Sequence, residues 1–226
     1  MRYLICAATL ALCLYLARTA LDTGKLDTIP WLRPKETTPD AYSLRLDART
    51  IRIAALALTG FAAFTLWRML AAVSNPLNVA KLSLALACLT GSACADAVEH
   101  RIPNIFPAVL SVSAVILLTV GFFTEPDGLA YIISSVYATV ASTICLLLAY
   151  FLTRRGIGEG DIKLVAALAL MGGVSATAYT LLFSVVLSAL AAAFLLLTKR
   201  KTMKQTVPFG PFILAGYMLS ICLAVF

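Results

Sequence analysis

Two aspartates beside long apolar runs are the residues of this chain best suited to chemistry. Asp96 follows one such run and Asp161 precedes another. When two carboxyl groups share a site, the pKa of one rises and the pair holds a single proton. One carboxylate can then take a proton from a water while the other carboxyl donates to a carbonyl, which hydrolyses a peptide bond. Two ordinary loop or helix-cap carboxylates are the alternative interpretation.

The residues needed for most other hydrolytic chemistry are missing from the sequence. The six cysteines form no C-x-x-C pair, and His100 is the only histidine. We therefore expect no metal site and no cofactor. The G-x-S-x-G string of serine hydrolases and the Walker-type nucleotide loop are absent as well. An aspartate pair is compatible with this inventory because it needs no nucleophilic side chain and no metal.

Glycines precede the second aspartate. Gly158 and Gly160 come just before Asp161, and glycines there permit positive φ and the close approach of another chain segment. A flexible turn with Asp161 as the helix N-cap is the alternative. Lys163 is interpreted either as a residue near the pair or as a snorkelling lysine at the start of a helix.

Prolines mark three further positions. Asn75-Pro76 predicts a break after the apolar run 53–73. Pro103 predicts the end or the start of a helix shortly after Asp96. Pro208, Gly210 and Pro211 predict a backbone break near the membrane surface, where a substrate strand would pair. A plain helix start with proline in its first turn is the alternative.

The composition places these residues in a membrane protein. Apolar residues make up 61% of the chain and charged residues 13%, with a mean hydropathy of +0.94. Ordinary soluble domains have about 45–50% and 25%. These values exclude a soluble enzyme, a disordered regulator and a small disulfide scaffold. The net charge of +7 fits basic cytoplasmic loops and contact with anionic membrane lipids, and we expect no nucleic-acid partner.

Charge-free runs predict an all-α polytopic membrane helix bundle with about eight transmembrane helices. A helical span needs about 20 apolar residues. The run 164–198 is too long for one span, and Gly172-Gly173 predicts a turn that divides it into two helices. The run 82–95 is shorter than a span, so Asp96 is expected to be recessed in the membrane. Three further runs each provide one span: 102–124, 128–153 and 205–226.

The spans divide the chain into two parts. Residues 76–226 form a six-helix core, and residues 1–75 form an N-terminal extension of two helices joined by a polar loop at 21–50. Lysine and arginine concentrate in alternate loops, which predicts that those loops are cytoplasmic. Both aspartates then face the cytoplasm.

Three strings resemble motifs of the type IV prepilin peptidases. GEGDIK at 158–163 resembles their G-x-G-D-x-K motif, which presenilin-type intramembrane proteases share in part. Asp96 with Ile102-Pro103-Asn104 resembles their first aspartate motif. VPFGPF at 207–212 resembles the P-F-G-P segment that opens their last helix. The three strings occur in the family's order over about residues 80–226.

The resemblance implies an aspartic-type endopeptidase of the bacterial inner membrane. It would cut the short basic leader from prepilin or pilin-like precursors at the cytoplasmic face, with Asp96 and Asp161 as the catalytic pair. Components of the pilus assembly machinery are further expected partners. Long bacterial members carry two C-x-x-C pairs and also methylate the new N-terminus. This chain has no such pair, so we predict no N-methyltransferase activity, as in the short forms serving tight-adherence pili or preflagellins.

Two flanking acids carry a further hypothesis. Glu99 and Glu159 lie beside the two aspartates and are expected to attract the basic leader, with solvated loop acids as the alternative. Two other functions also fit the sequence. A small ion-coupled membrane transporter would use the aspartates on a cation path, and a non-catalytic scaffold of the pilus machinery would not need them.

Overall fold

The structure, a computed structural model, describes residues 75–99, 102–153, 157–197 and 209–223, together with the single residues at 11, 65, 68 and 73. Within these ranges the chain is helical and has no strand, as the all-α prediction required. The five helices, in chain order, are α1 (Pro76–Glu99), α2 (Ile105–Thr124), α3 (Gly128–Leu152), α4 (Glu159–Leu197) and α5 (Gly210–Cys222).

Helix α1 is the central element of the bundle. It begins where the sequence predicted a break: the Asn75 side-chain oxygen accepts the Leu77 N–H at 3.0 Å, and Pro76 occupies the first turn. Asparagine at the N-cap and proline after it are both favoured there. Of the most apolar stretch of α1, 67% is buried, against 17–28% for the corresponding stretches of α2, α3 and α4. Helix α1 is therefore the most buried of the four, and α2, α4 and α5 pack against it.

Four described helices, α1 to α4, are long and apolar enough to cross a membrane, whereas α5 has 13 residues. The outward faces of α2, α3 and α4 carry exposed large apolar side chains such as Phe123, Leu152 and Leu182. Such faces suit lipid, and a helix satisfies its own backbone hydrogen bonds there. The chain is thus a membrane protein, and the total of eight spans stays a prediction. The extension at 1–75 and its loop at 21–50 lie almost entirely outside the described residues.

Helix α4 folds back on itself at Gly173, as the sequence predicted. Gly173 has φ +72° and ψ −168°, a backbone conformation that favours glycine. The arm at 174–197 then runs beside α5: the Thr180 and Ser220 hydroxyls lie 3.4 Å apart. A Cβ built on Gly216 would lie 2.7 Å from the Thr180 carbonyl oxygen, so these two backbones touch. As a straight rod, the 39 residues of α4 would extend about 58 Å, nearly twice the hydrocarbon core.

The bundle has two polar ends. The aspartate end holds the last turn of α1 and the first turns of α4 and α5. The opposite end holds the first turn of α1, the start of α3 and the Gly173 reversal, where the Val174 N–H donates to Ser134 Oγ at 3.4 Å. From the N-terminal part, Arg68 donates to the Cys222 carbonyl at 3.1 Å. The C-terminal end of α5 is therefore bonded to the segment that precedes α1.

Candidate active site

Asp96 is buried at the aspartate end and bonded to the start of α5. Its carboxylate oxygen Oδ2 accepts the Gly210 N–H at 2.8 Å, and only 6% of the residue is exposed. Gly210 is the first residue of α5, and the first N–H groups of a helix have no partner within the helix. The bond therefore satisfies a free donor and a buried carboxylate together. Hydrogen bonds to charged groups stabilise by about 1.5–3 kcal/mol.

Asp161 lies in the first turn of α4, also buried, with 7% of the residue exposed. Its N–H donates to the Gly158 carbonyl at 3.1 Å, so Asp161 is inside the helix and is not its N-cap. A carboxylate in the first turn is favoured by the helix dipole. Its oxygen Oδ1 is buried and has no hydrogen-bond partner among the described residues. A buried polar atom of that kind is uncommon in native structures and requires an explanation.

The glycines before Asp161 allow close approach and do not supply positive φ. Among the described glycines only Gly173 has φ in that region, so this part of the sequence interpretation was wrong for Gly158 and Gly160. A Cβ on Gly158 would lie 2.9 Å from Asp161 Oδ2, and one on Gly160 would lie 3.0 Å from Ile102 Cβ. A side chain at either position would force the carboxylate or the segment before α2 to shift.

The fold brings the two aspartates to one place. Asp96 comes from the end of α1 and Asp161 from the start of α4, and their charges interact. No group of three or more metal-ligating side chains occurs among the residues that the structure describes. The pair offers one carboxylate held by a backbone N–H and a second carboxyl whose Oδ1 has no hydrogen-bond partner among the described residues. This is the donor and acceptor set that acid–base hydrolysis requires.

Two predicted site residues lie on the exposed rim of this end. Lys163 is exposed, and its Nζ donates to Asn104 Oδ1 at 3.4 Å. Glu159 is exposed, and its Oε1 accepts the Tyr150 hydroxyl at 3.5 Å. Lys163 bonds to the residue before α2 and Glu159 bonds to α3, and neither bond is to a carboxylate of the pair.

The remaining predicted site residues have different positions. Pro211 is in the first turn of α5, half-buried, as a plain helix start requires. Glu99 is the last residue of α1, and its side chain is outside the described part. Pro208 lies outside the described residues.

Sequence reasoning did not identify the contact between Gly210 and Asp96 or the rim position of Tyr150. The Gly210 bond uses a backbone N–H, which every non-proline residue has, and joins residues 114 positions apart. Tyr150 offered a weak signal, since it is a polar-tipped residue at the end of an apolar run.

The chain is similar in sequence to known proteins. The model of the type IV leader peptidase family matches residues 82–196. A prepilin leader peptidase/N-methyltransferase of Bacillus subtilis (strain 168) is 34% identical over 137 residues, covering 52% of this chain and 55% of that protein. One of Pseudomonas putida is 41% identical over 66 residues, covering 29% of this chain and 23% of that protein. The matched region thus spans about half of the first relative and about a quarter of the second. No solved structure matches the chain.

Proposed function

This chain belongs to the type IV leader peptidase family, and from that membership we propose that it is an aspartic-type membrane endopeptidase. Its proposed substrates are prepilin or pilin-like precursors, from which it removes the short basic leader. Asp96 and Asp161 are the proposed catalytic pair, and the reaction needs no cofactor. The prepilin leader peptidases it resembles support the substrate class.

The observation that carries the proposal is the burial of two interacting aspartates at one polar end of an apolar bundle. They are 65 residues apart in the sequence, and each is more than nine-tenths buried. Burying a carboxylate is costly unless it is bonded or has a function. A purely structural pair would be expected to have every oxygen bonded, whereas Asp161 Oδ1 has no partner among the described residues.

The proposed reaction cycles one proton between the two carboxyl groups. The ionised aspartate takes a proton from a water as the water oxygen attacks the scissile carbonyl carbon, and the protonated aspartate donates to the carbonyl oxygen. A neutral gem-diol forms, and the pair still holds one proton. When the C–N bond breaks, the nitrogen takes that proton and a gem-diol hydroxyl returns one to the other carboxylate. The starting state is restored.

The site is proposed to face the cytoplasm at the inner membrane. The basic residues of the chain concentrate in the loops predicted on that side. The two relatives are named N-methyltransferases as well as peptidases, but this chain has no C-x-x-C pair. We therefore propose that it cleaves without methylating. Mass spectrometry of the new N-terminus tests this, since an added methyl group would contradict it.

The experiment that tests the proposed function is co-expression cleavage. A tagged pilin-like precursor with a basic leader is produced with wild type or with the double variant Asp96→Asn/Asp161→Asn. The expected result is a shorter precursor with wild type alone, cut before the apolar helix. Cleavage that persists with the double variant would contradict the proposal. A well-folded wild type that cuts none of a panel of pilin-like precursors, yet shows cation flux in liposomes, would favour the transporter.

Charge reversal at the rim is expected to weaken recognition of the basic leader. We expect Glu99→Lys/Glu159→Lys to lower kcat/KM about tenfold through KM, because like charges would then meet at the entrance. Glu159 is exposed, so salt should diminish the effect. Steady-state kinetics at low and at high ionic strength measure the fall in kcat/KM and its dependence on salt. The matched control is a leader whose lysines are replaced by glutamine. An equal loss with that neutral leader would mean that the reversal damages the site rather than recognition.

A further inference from the structure

A cavity of about 420 Å³ lies at the opposite end of the bundle from the aspartates. Its size is within the usual range for sites of small ligands, about 300–1,000 Å³. One part of its lining is polar, with Asn75, Asn78, Lys81 and Ser134, and another part is apolar, with Leu82 and Leu168. The reaction proposed above uses none of these residues, so the cavity needs a separate explanation.

Lys81 is the central polar group of this cavity. It lies one turn into α1, and only 4% of the residue is exposed, so it does not extend to the surface as a snorkelling lysine would. Its Nζ lies 3.9 Å from the centre of the Tyr131 ring. Within the part of the chain that the structure describes, this ammonium has neither a hydrogen-bond acceptor nor an ion-pair partner within 4.0 Å. A buried charge is costly without such partners.

Glu125 is not an ion-pair partner of Lys81. The charge of Glu125 acts on Lys81 from a distance, but its Oε1 accepts a hydrogen bond from Asn75 Nδ2. The ammonium therefore keeps N–H donors that are not directed at the Tyr131 ring and can bond a group in the cavity. The Asn78 amide and the Ser134 hydroxyl add donors around the same space.

We propose that this cavity binds a negatively charged phosphate group. A phosphate has several acceptor oxygens, which suit one ammonium surrounded by amide and hydroxyl donors. The apolar side of the cavity and its place in a membrane bundle suit a phosphate carried by a lipid, so an anionic phospholipid headgroup is the expected source and free phosphate is the other. This site does not depend on the proposed peptidase reaction.

Calorimetric titration of the full chain, purified in a neutral detergent, tests the site. The probes are dioctanoyl phosphatidylglycerol, sodium phosphate and dioctanoylglycerol, which lacks phosphate. Wild type is expected to bind at least one phosphate probe in a saturable way and not dioctanoylglycerol. Lys81→Met should raise that Kd about tenfold or more, because a charge-assisted bond is lost. Lys81→Arg should retain binding. The matched control is Lys163→Met, which removes an exposed ammonium at the aspartate end and should leave the Kd unchanged.

The outcomes distinguish a lipid headgroup from free phosphate as the ligand, and they show whether the proposal stands. Binding of the lipid but not of free phosphate assigns the site to a headgroup, and the reverse assigns it to soluble phosphate. If Lys81→Met does not fold, Asn78→Leu keeps the ammonium and removes one donor, and it should weaken binding about threefold. The proposal is overturned if wild type binds neither phosphate probe, if dioctanoylglycerol binds equally well, or if folded Lys81→Met keeps wild-type affinity.

Discussion

Asp96→Asn and Asp161→Asn are each expected to lower kcat for leader cleavage about 1,000-fold or more. Asparagine has nearly the shape of aspartate but can neither accept a proton from water nor donate one as an acid. The Gly210 N–H can still donate to the side-chain oxygen of an asparagine at 96, so the bundle should keep its fold. Because the pair works as a unit, the double variant should be little worse than either single one.

The matched control for these variants is Asp127→Asn. Asp127 is the N-cap of α3 at the opposite end, and its side chain makes no capping bond. The same chemical change there should leave kcat unchanged. If one of the two single variants keeps near wild-type kcat while the other loses it, the aspartyl mechanism is refuted. Such unequal effects of the two substitutions are expected of a cation path. Thermal unfolding of each purified variant checks that lost activity is not lost fold.

Gly210→Ala is expected to have the next largest effect, a fall in kcat of about 100-fold with the fold retained. The new Cβ would lie 2.9 Å from Asp96 Oδ2 and 3.0 Å from Asp96 Cβ, both closer than carbon normally approaches these atoms. The carboxylate or the start of α5 must therefore shift. The N–H remains after the substitution, so the loss reports the position of the carboxylate rather than the loss of a donor. We expect kcat to fall far more than KM rises.

The matched control glycine is Gly121, in α2 at the opposite end. There a Cβ would meet the tips of two flexible side chains, Leu77 at 3.3 Å and Lys81 at 3.6 Å; the first can move and the second is an ordinary van der Waals contact. Gly121→Ala should leave kcat unchanged, and helix propensity favours alanine by about 1 kcal/mol. If Gly210→Ala is as active as Gly121→Ala, then the contact between α5 and Asp96 has no role in the reaction. Infrared spectra of the carboxylate groups would also report a change in the hydrogen bond between the Gly210 N–H and Asp96.

Features that depend on local chemistry were predictable from the sequence. The break at Asn75-Pro76 and the reversal at Gly172-Gly173 follow from residue types with strong backbone preferences, and both are present in the structure. The residue types alone allowed Asp96 and Asp161 to be a functional pair, because ionisable residues in apolar helices need each other or a function, but they equally allowed two ordinary loop or cap carboxylates. Motif resemblance indicated the same pair.

Features that depend on how distant helices meet were not predictable. The burial of Lys81 contradicts the general tendency of a lysine near a helix end to reach the surface, and the tendency fails here because α2 and α3 cover that turn of α1. The close packing of Gly160 against Ile102 was also not predictable. A glycine in the sequence is compatible either with close packing or with positive φ, and only the structure shows that Gly160 has the first role. Composition gives no direct information on which helix faces which.

The bond between Gly210 and Asp96 also orders events during synthesis of the chain. The two residues are separated by 114 positions, and ribosomes add about 5–20 residues per second. Asp96 is therefore made about 6–23 seconds before the N–H that holds its carboxylate, and Asp161 is made in between. Under the proposed mechanism, a chain still being translated has both acids but an incomplete site, so the protease becomes competent only once α5 has been inserted.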